Sequence, residues 1–268
     1  MQNFDSINSP IRWAGSKRKL LPELHSHMPS KFSRYIEPFC GSLSLWLSLP
    51  PTRAIVGDIN PELIHFYKMV RWRPRMVARL ASAWGLEEDT YYKVRSLNPL
   101  DMATEDRAAR FLYLNRLCFN GVYRTNRQGN FNVPRGSRVP GMPSESELAA
   151  LADRLKMADI HCDDFEEIVS MGGRGDFIYL DPPYAGRGAR DRGEYGKGSF
   201  LENDIDRLDS ALRRASRRGA KILMSYADTE TVRAALSDWN IFALQVPRNV
   251  SGFVKGRKPA AEILVRNY

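Results

Sequence analysis

The sequence predicts an open α/β sheet of the nucleotide-binding kind, interrupted by an inserted, mainly helical lobe. Three stretches carry that expectation. Arg34 to Phe39 reads as a first core strand and runs through Cys40-Gly41 into the apolar, helix-forming stretch Ser42 to Leu47. Ala54-Ile55-Val56-Gly57-Asp58 reads as a second strand that ends in an acid. Asp176-Phe177-Ile178-Tyr179-Leu180 reads as a buried strand that delivers Asp181-Pro182-Pro183-Tyr184 to its carboxyl end. Strand–glycine–helix followed by strand–acid is how nucleotide-binding units open, and such sheets hold ligands outside the carboxyl ends of their strands.

The 268 residues are enough for one large domain or for a core with an inserted lobe, and a hydrophobic content of 43% supplies that core. No signal peptide is evident. The longest apolar runs, such as Ile222-Leu223-Met224 and Ile263-Leu264-Val265, have the length of strands, so no membrane segment is expected. Cys40, Cys118 and Cys162 are far apart, and His25, His27, His65 and His161 do not join them at zinc spacing. Neither a disulfide framework nor a metal site is expected, and a reducing, cytoplasmic compartment is. The formal net charge of +9 favours a polyanionic partner. The charge is concentrated: Arg107, Arg110, Arg116, Arg124, Arg127, Arg135 and Arg138 fall in a stretch free of Asp and Glu.

In chain order, residues 1 to 10 read as a loose arm. In Ile11-Arg12-Trp13-Ala14-Gly15-Ser16-Lys17-Arg18-Lys19, small residues precede a basic cluster that suits an anionic or zwitterionic ligand near a helix start, though a basic helix end accounts for it as well. Leu20 to Met28 continues as a short amphipathic helix. The turn after the first strand carries only Gly41, so it is neither a Gly-x-Gly-x-x-Gly fingerprint nor a Walker loop, and a cofactor without phosphates is the better match. Asp58 has the position of an acid that accepts both hydrogens of a ribose diol, a role the glycine turn upstream favours; the alternative is that it caps the helix that follows, with Pro61 near its first turn. Helices are expected over Glu62 to Arg71, Pro74 to Trp84, Thr90 to Leu97 and Glu105 to Leu117, the last with an apolar face of Ala108, Phe111, Leu112 and Leu114. Met69, Trp72 and Trp84 read as packing residues.

Asn115 to Gly136 mixes amide, guanidinium and aromatic side chains with turn glycines, and Arg127-Gln128-Gly129-Asn130 suits a hairpin turn. Arginine and asparagine match the edges of guanine and adenine, and an aromatic such as Phe119 or Tyr123 suits the space left by a displaced base. A nucleic-acid-recognition lobe is therefore expected across residues 68–142. Ser144 to Leu155 returns as a helix and Met157 to Cys162 as a strand, followed by Asp163-Asp164-Phe165, an acid and an aromatic that could hold an adenine. After the catalytic strand, Gly186 to Ser199 is polar and glycine-rich and reads as a mobile loop. Leu201 to Ala215 and Thr229 to Leu236 read as helices. Lys221 to Ser225, Ile241 to Val246 and Glu262 to Val265 read as strands. Arg248, Lys255, Arg257 and Lys258 border a loop suited to phosphate contacts.

The chemistry concentrates in Asp181-Pro182-Pro183-Tyr184. Asp181 can accept a hydrogen bond from an amino group, the carbonyl of Pro182 is a second acceptor, and Tyr184 offers a face for a base. Together with Trp13-Ala14-Gly15-Ser16-Lys17, Glu37-Pro38-Phe39-Cys40-Gly41, Asp58-Ile59-Asn60-Pro61-Glu62, Phe111-Leu112-Tyr113-Leu114-Asn115-Arg116, Asn120-Gly121, Asn130-Phe131-Asn132-Val133-Pro134 and Asp164-Phe165, in this order, the chain resembles the DNA adenine-N6 methyltransferase family, in particular the group of the bacterial Dam enzymes, over nearly its whole length.

The resemblance implies a Rossmann-like S-adenosylmethionine-dependent methyltransferase sheet from residues 1–67 and 143–268, with a target-recognition domain at 68–142. It implies S-adenosylmethionine as cofactor. Trp13 would contact it, Lys17 and the backbone near Phe39 and Gly41 would hold its methionine part, Asp58 its ribose, and Asp164 and Phe165 its adenine. It implies double-stranded DNA as partner, with a flipped adenine held by Asp181 and Pro182 and stacked on Tyr184. Arg116, Phe119, Asn120, Val122, Arg124, Asn126, Arg127, Asn132, Pro134, Arg135 and Arg138 would contact DNA. A restriction endonuclease acting separately is a compatible partner. Two departures stand out. Ser42-Leu43-Ser44 occupies a turn where the family carries more glycine, and Arg135, Ser137 and Arg138 stand where enzymes acting on GATC tend to have an aromatic and a tyrosine. A different adenine-containing site is therefore compatible with the sequence. Cytosine-N4 methylation, RNA methylation and a silent DNA-binding module on the same scaffold are the alternative readings.

Overall fold

The computed structural model describes residues 7–183, 203–246 and 260–268. Seven strands, β1 (Arg34–Glu37), β2 (Ala54–Gly57), β3 (Ala158–His161), β4 (Asp176–Leu180), β5 (Lys221–Ala227), β6 (Asn240–Val246) and β7 (Ala260–Arg266), form one sheet in the order β3-β2-β1-β4-β5-β7-β6. The first five are mutually parallel, and β7 runs antiparallel between β5 and β6. The helices are α1 (Leu21–His27), α2 (Ser44–Leu47), α3 (Pro61–Trp72), α4 (Pro74–Ala83), α5 (Glu88–Ser96), α6 (Thr104–Leu117), α7 (Glu145–Leu155), α8 (Phe165–Ser170), α9 (Asn203–Arg217) and α10 (Glu230–Ala235).

Alternation along the strands feeds two cores. Ile36, Ile55, Ile178, Leu180, Ile222 and Met224 point to the face covered by α8, α9 and α10. Tyr35, Val56, Phe177, Tyr179, Leu223 and Leu264 point to the face covered by α2, α3, α4, α6 and α7. A parallel strand buried on both faces reads as a continuous apolar run, and that is why β4 is visible in the sequence with the same limits.

The segment between β2 and β3 departs from a simple appended lobe. Position 68 falls inside α3, and α4 and α6 place Val77, Ala81, Ala109 and Leu112 in the main core. α6 has two apolar faces rather than one. Tyr113, Leu114 and Leu117 join Tyr91 and Val94 of α5, with Phe131 and Val133 from the following loop, in a separate small core. Trp72 is not a packing residue: it stands 69% exposed, with the Arg71 guanidinium 5.4 Å from its ring centre. α8 has no counterpart in the sequence reading, because its one turn and a half is too short to show a period. The expected loop at 186–199 and the basic residues Arg248, Lys255, Arg257 and Lys258 lie outside the described residues.

Candidate active site

The strand order reverses between β1 and β4, which opens a crevice beyond their carboxyl ends. The turns after β1, β2 and β4 and the segment before α1 meet there. After β1 the chain turns through Gly41 at φ +41° and Leu43 at φ +56°. The Gly41 N–H donates to Asp58 Oδ2 at 3.2 Å, and the Asn60 N–H donates to Asp58 Oδ1 at 3.0 Å. Asp58 thereby ties the turn after β1 to the turn after β2. It does not cap α3. That task falls to Asn60, whose side chain accepts from the N–H groups of Glu62 and Leu63. Burial pushes the Asp58 carboxyl up to about 6, against the pull of the backbone N–H groups.

Trp13 lies on Gly41: a Cβ there would come 2.7 Å from the indole Cδ1. The same indole stacks on Tyr123 with ring centres 6.2 Å apart. The hydroxyls of Ser16, Ser42 and Ser44 bond to one another at 2.8–3.2 Å, so the serines that replace family glycines fasten the first segment to the turn. Leu43 takes the left-handed conformation that glycine adopts freely, and its buried side chain anchors in the main core.

Asp181 follows β4 directly. Its Oδ1 lies 2.7 Å from Lys17 Nζ and 3.0 Å from Ser225 Oγ of β5. Lys17 is 8% exposed and also lies 3.9 Å from Glu262 Oε2 of β7. Burial alone would lower the Lys17 ammonium, but Asp181, Tyr179 and Glu262 together hold it above the ordinary lysine range. Burial raises Asp181, and Lys17 and Ser225 pull the other way. Pro182 is buried, and the Pro183 carbonyl accepts from the Tyr226 hydroxyl at 3.5 Å. Tyr184 lies outside the described residues. Glu37, at the end of β1, is 3% exposed, and its Oε2 has no hydrogen-bond partner among the described residues. Burial pushes Glu37 far above the usual carboxylate range, and the nearby Asp181 and Asp58 add to the shift.

Phe39 and Phe165 stack on each other with ring centres 5.4 Å apart. Asp164 caps α8 through the Glu166 N–H and pairs with Arg207 at 2.9 Å, while the Arg207 guanidinium lies 4.9 Å from the Phe165 ring centre. The aromatic pair thus flanks the crevice, and Asp164 is engaged on the α9 side of it.

The residues expected to contact DNA fall into two groups. One group builds the loop itself. Arg116 donates to the carbonyls of Pro10 and Gly141, Arg124 to Asn132 Oδ1 at 2.7 Å, and Arg135 to the Leu86 carbonyl at 2.7 Å. Asn126 Oδ1 accepts from the N–H groups of Gln128 and Asn130, closing the hairpin turn with Gly129 at φ +85°. The Pro134 carbonyl accepts from the Phe119 N–H, and Val122 packs on the small core. The other group faces outward: Phe119 is 52% exposed, Asn120 is exposed at φ +54°, and Arg127 and Arg138 are exposed.

Four residues take part in contacts that the sequence did not indicate. Arg12 and Asn115 exchange backbone–side-chain hydrogen bonds at 2.8 and 2.6 Å, and Arg12 Nη1 donates to the carbonyls of Arg116 and Cys118, just behind Phe119. Ser225 and Glu262 reach Asp181 and Lys17 from neighbouring strands. Each of these contacts joins positions far apart in the chain, so no local spacing could reveal it.

Residues 13–250 match the family model of the D12 class N6 adenine-specific DNA methyltransferases. The chain is 30% identical to the Type II methyltransferase M1.LlaDCHI of Lactococcus lactis subsp. cremoris, over 100% of this chain and 98% of that protein. It is 32% identical to a DNA adenine methylase of Vibrio cholerae, over 95% of this chain and 94% of that protein. It is 31% identical to the retron Ec67 DNA adenine methylase of Escherichia coli, over 96% and 90%. With a match across nearly its whole length, the chain belongs to the D12 class N6 adenine-specific DNA methyltransferases.

Proposed function

We propose that the crevice between β1 and β4 takes S-adenosylmethionine on the β1 side and an adenine turned out of duplex DNA on the β4 side. S-adenosylmethionine is the methyl donor of this DNA adenine methyltransferase. The residues present suit its charge. Asp181 and Glu262 flank Lys17, Asp58 is held at the Gly41 turn by backbone N–H groups, and the buried Glu37 Oε2 has no hydrogen-bond partner among the described residues. A net negative, partly unsatisfied pocket favours a ligand bearing a sulfonium and an ammonium group. Asp58 would accept from the ribose hydroxyls, Phe39 and Phe165 would pack on the adenine ring, and Gly41 and Trp13 would shape the floor. When bound, the cofactor supplies an electrophilic methyl group and leaves as a neutral thioether.

The remaining work falls to the chain. The carboxylate of Asp181 and the carbonyl of Pro182 accept the two hydrogens of the N6 amine. This withdraws the nitrogen lone pair from the purine ring and aims it at the methyl group. Positive charge develops on N6 during transfer and is stabilised by Asp181, whose raised proton affinity also suits it to receive the N6 proton afterwards. Tyr184 would stack on the base. Phe119 would fill the space the base leaves, with Asn120, Arg124 and Arg127 reading neighbouring base edges and Arg138 meeting phosphate. The observation that carries this reading is Asp181 at the strand-order reversal, held at 2.7 Å by Lys17 and opposite the Gly41–Asp58 turn.

The test is transfer of labelled methyl from S-adenosylmethionine to unmethylated duplex DNA, with nucleoside identification and single-base mapping. N6-methyladenine at one short motif, lost in Asp181→Ala while DNA binding persists, is the expected result. Near-normal turnover by Asp181→Ala refutes the assignment. The recognition motif need not be GATC. A restriction endonuclease acting separately would make this the protecting activity of a pair, which resistance of the methylated DNA to such an endonuclease would establish.

A further inference from the structure

Asp181 reaches its polar partners among the described residues through one oxygen. Lys17 Nζ and Ser225 Oγ both lie on Oδ1, at 2.7 and 3.0 Å. Ser225 is fully buried on β5, beside β4 in the sheet, and its hydroxyl also lies 3.0 Å from the hydroxyl of Tyr179, itself 1% exposed. The proton order in this chain follows from valence. An ionised carboxylate only accepts, so Ser225 must give its one proton to Asp181. Its oxygen is then free to accept, and Tyr179 donates to it. Two buried hydrogen bonds therefore run in one direction, Tyr179 to Ser225 to Asp181, and each polarises the next.

We infer that Ser225 is a positioning residue for the methyl-transfer reaction: with Lys17 it pins Asp181 Oδ1, so that Oδ2 is the oxygen presented to the N6 amine. The inference rests on the catalytic reading of Asp181 given above. Its physical content is rotational. A carboxylate held by one cation can swing about that contact, whereas one held on the same oxygen from two elements, the segment before α1 and β5, has its second oxygen directed. Hydrogen bonds to the ionised form also keep Asp181 charged in a buried setting. The titratable groups facing it among the described residues are Lys17 before α1, Tyr179 on its own strand, Glu37 on β1 and Glu262 on β7.

The experiment is methyl transfer to duplex DNA, in single turnover at saturating cofactor and DNA across pH and in steady state with cofactor and DNA each varied in turn, for wild type, Ser225→Ala, Tyr179→Phe and Asp181→Ala. Cofactor binding confirms that each variant is folded. Ser225→Ala is expected to lose about tenfold in rate, with both KM values within about twofold of wild type. The acid limb of its rate profile moves upward by about one pH unit. Tyr179→Phe, which keeps Ser225 but removes the outer donor, shifts the limb the same way by less. A Ser225→Ala enzyme with wild-type rate and limb overturns the inference, as does one whose loss lies in KM with the limb unmoved. Normal turnover by Asp181→Ala refutes instead the catalytic role of Asp181, so the two failures are distinguishable.

Discussion

Replacing Lys17 with methionine tests the electrostatics of the site most directly. Methionine keeps the length of the stem and removes the charge that lies 2.7 Å from Asp181. Lys17 is 8% exposed and Asp181 19%, so water replaces little of the lost interaction. Removing one partner of a buried ion pair costs about 3–5 kcal/mol, because the other charge is left uncompensated. A carboxylate escapes that penalty by taking up a proton. At 1.36 kcal/mol per pKa unit, the lower end of the range amounts to a rise of about two units. The starting point is already raised, since burial outweighs the two stabilising contacts. Asp181 in Lys17→Met should therefore keep its proton to higher pH than in the wild type, and the protonated form cannot use that oxygen to accept from the N6 amine. Activity requires the ionised form, so it is present above the Asp181 pKa and lost as pH falls through it. The assay is single-turnover methyl transfer with saturating DNA and cofactor, from mildly acidic to mildly alkaline pH. The expected result is an acid limb displaced upward by about two pH units, with recovery at alkaline pH. Lys17→Arg, which keeps the charge, should retain a limb near that of wild type. A uniformly lowered profile with an unmoved limb would refute the reasoning and leave Lys17 with a purely steric or cofactor-binding role.

Two further outcomes follow from the turns. Asp58 has a folded-state pKa of about 6 against an ordinary 3.8, so its contribution to stability is present below 3.8 and is lost as pH rises through 6. The excess thermal stability of Asp58→Asn over wild type, measured without cofactor, should therefore shrink as pH falls below 6. Cofactor affinity of wild type should weaken over the same interval, and a pH-independent difference between the two proteins would contradict the assignment. Gly41→Ala places a methyl group 2.7 Å from the Trp13 ring at a φ of +41°. It should cost about 1–3 kcal/mol in denaturant unfolding and weaken cofactor binding, and Trp13→Leu in the same chain should restore the steric part alone.

Much of this architecture is legible in the chain itself. Buried parallel strands such as β2 and β4 carry continuous apolar runs, and the residues that follow β1, β2 and β4, namely Gly41, Asp58 and Asp181, stand at the carboxyl ends where an open sheet binds its ligand. Helix limits were readable where a cap or a proline marks them, as with Pro61, Pro74 and Ser144. Local signals failed where one residue had two plausible tasks. Asp58 reads as a ribose-binding acid with helix capping as its alternative task, and Asn60 two positions on takes the capping, accepting from the first free N–H groups while Asp58 turns to Gly41.

What the sequence by itself determined is therefore the order of strands along the chain and the chemistry at their ends, because both depend on short-range patterns of burial and turn formation. What only the tertiary structure decided is which ends meet. The reversal between β1 and β4 brings the segment before α1 and the turns after β1, β2 and β4 to one crevice, pairs Lys17 with Asp181 rather than leaving it to a ligand alone, and sets Ser225 against the same carboxylate oxygen. It also fastens the loop around Phe119 to Arg12, more than 100 positions earlier in the chain. Such pairings join residues separated by 44 to 164 positions as the sheet closes. Their energies depend on distance and burial in the folded state, quantities that no spacing along the chain encodes.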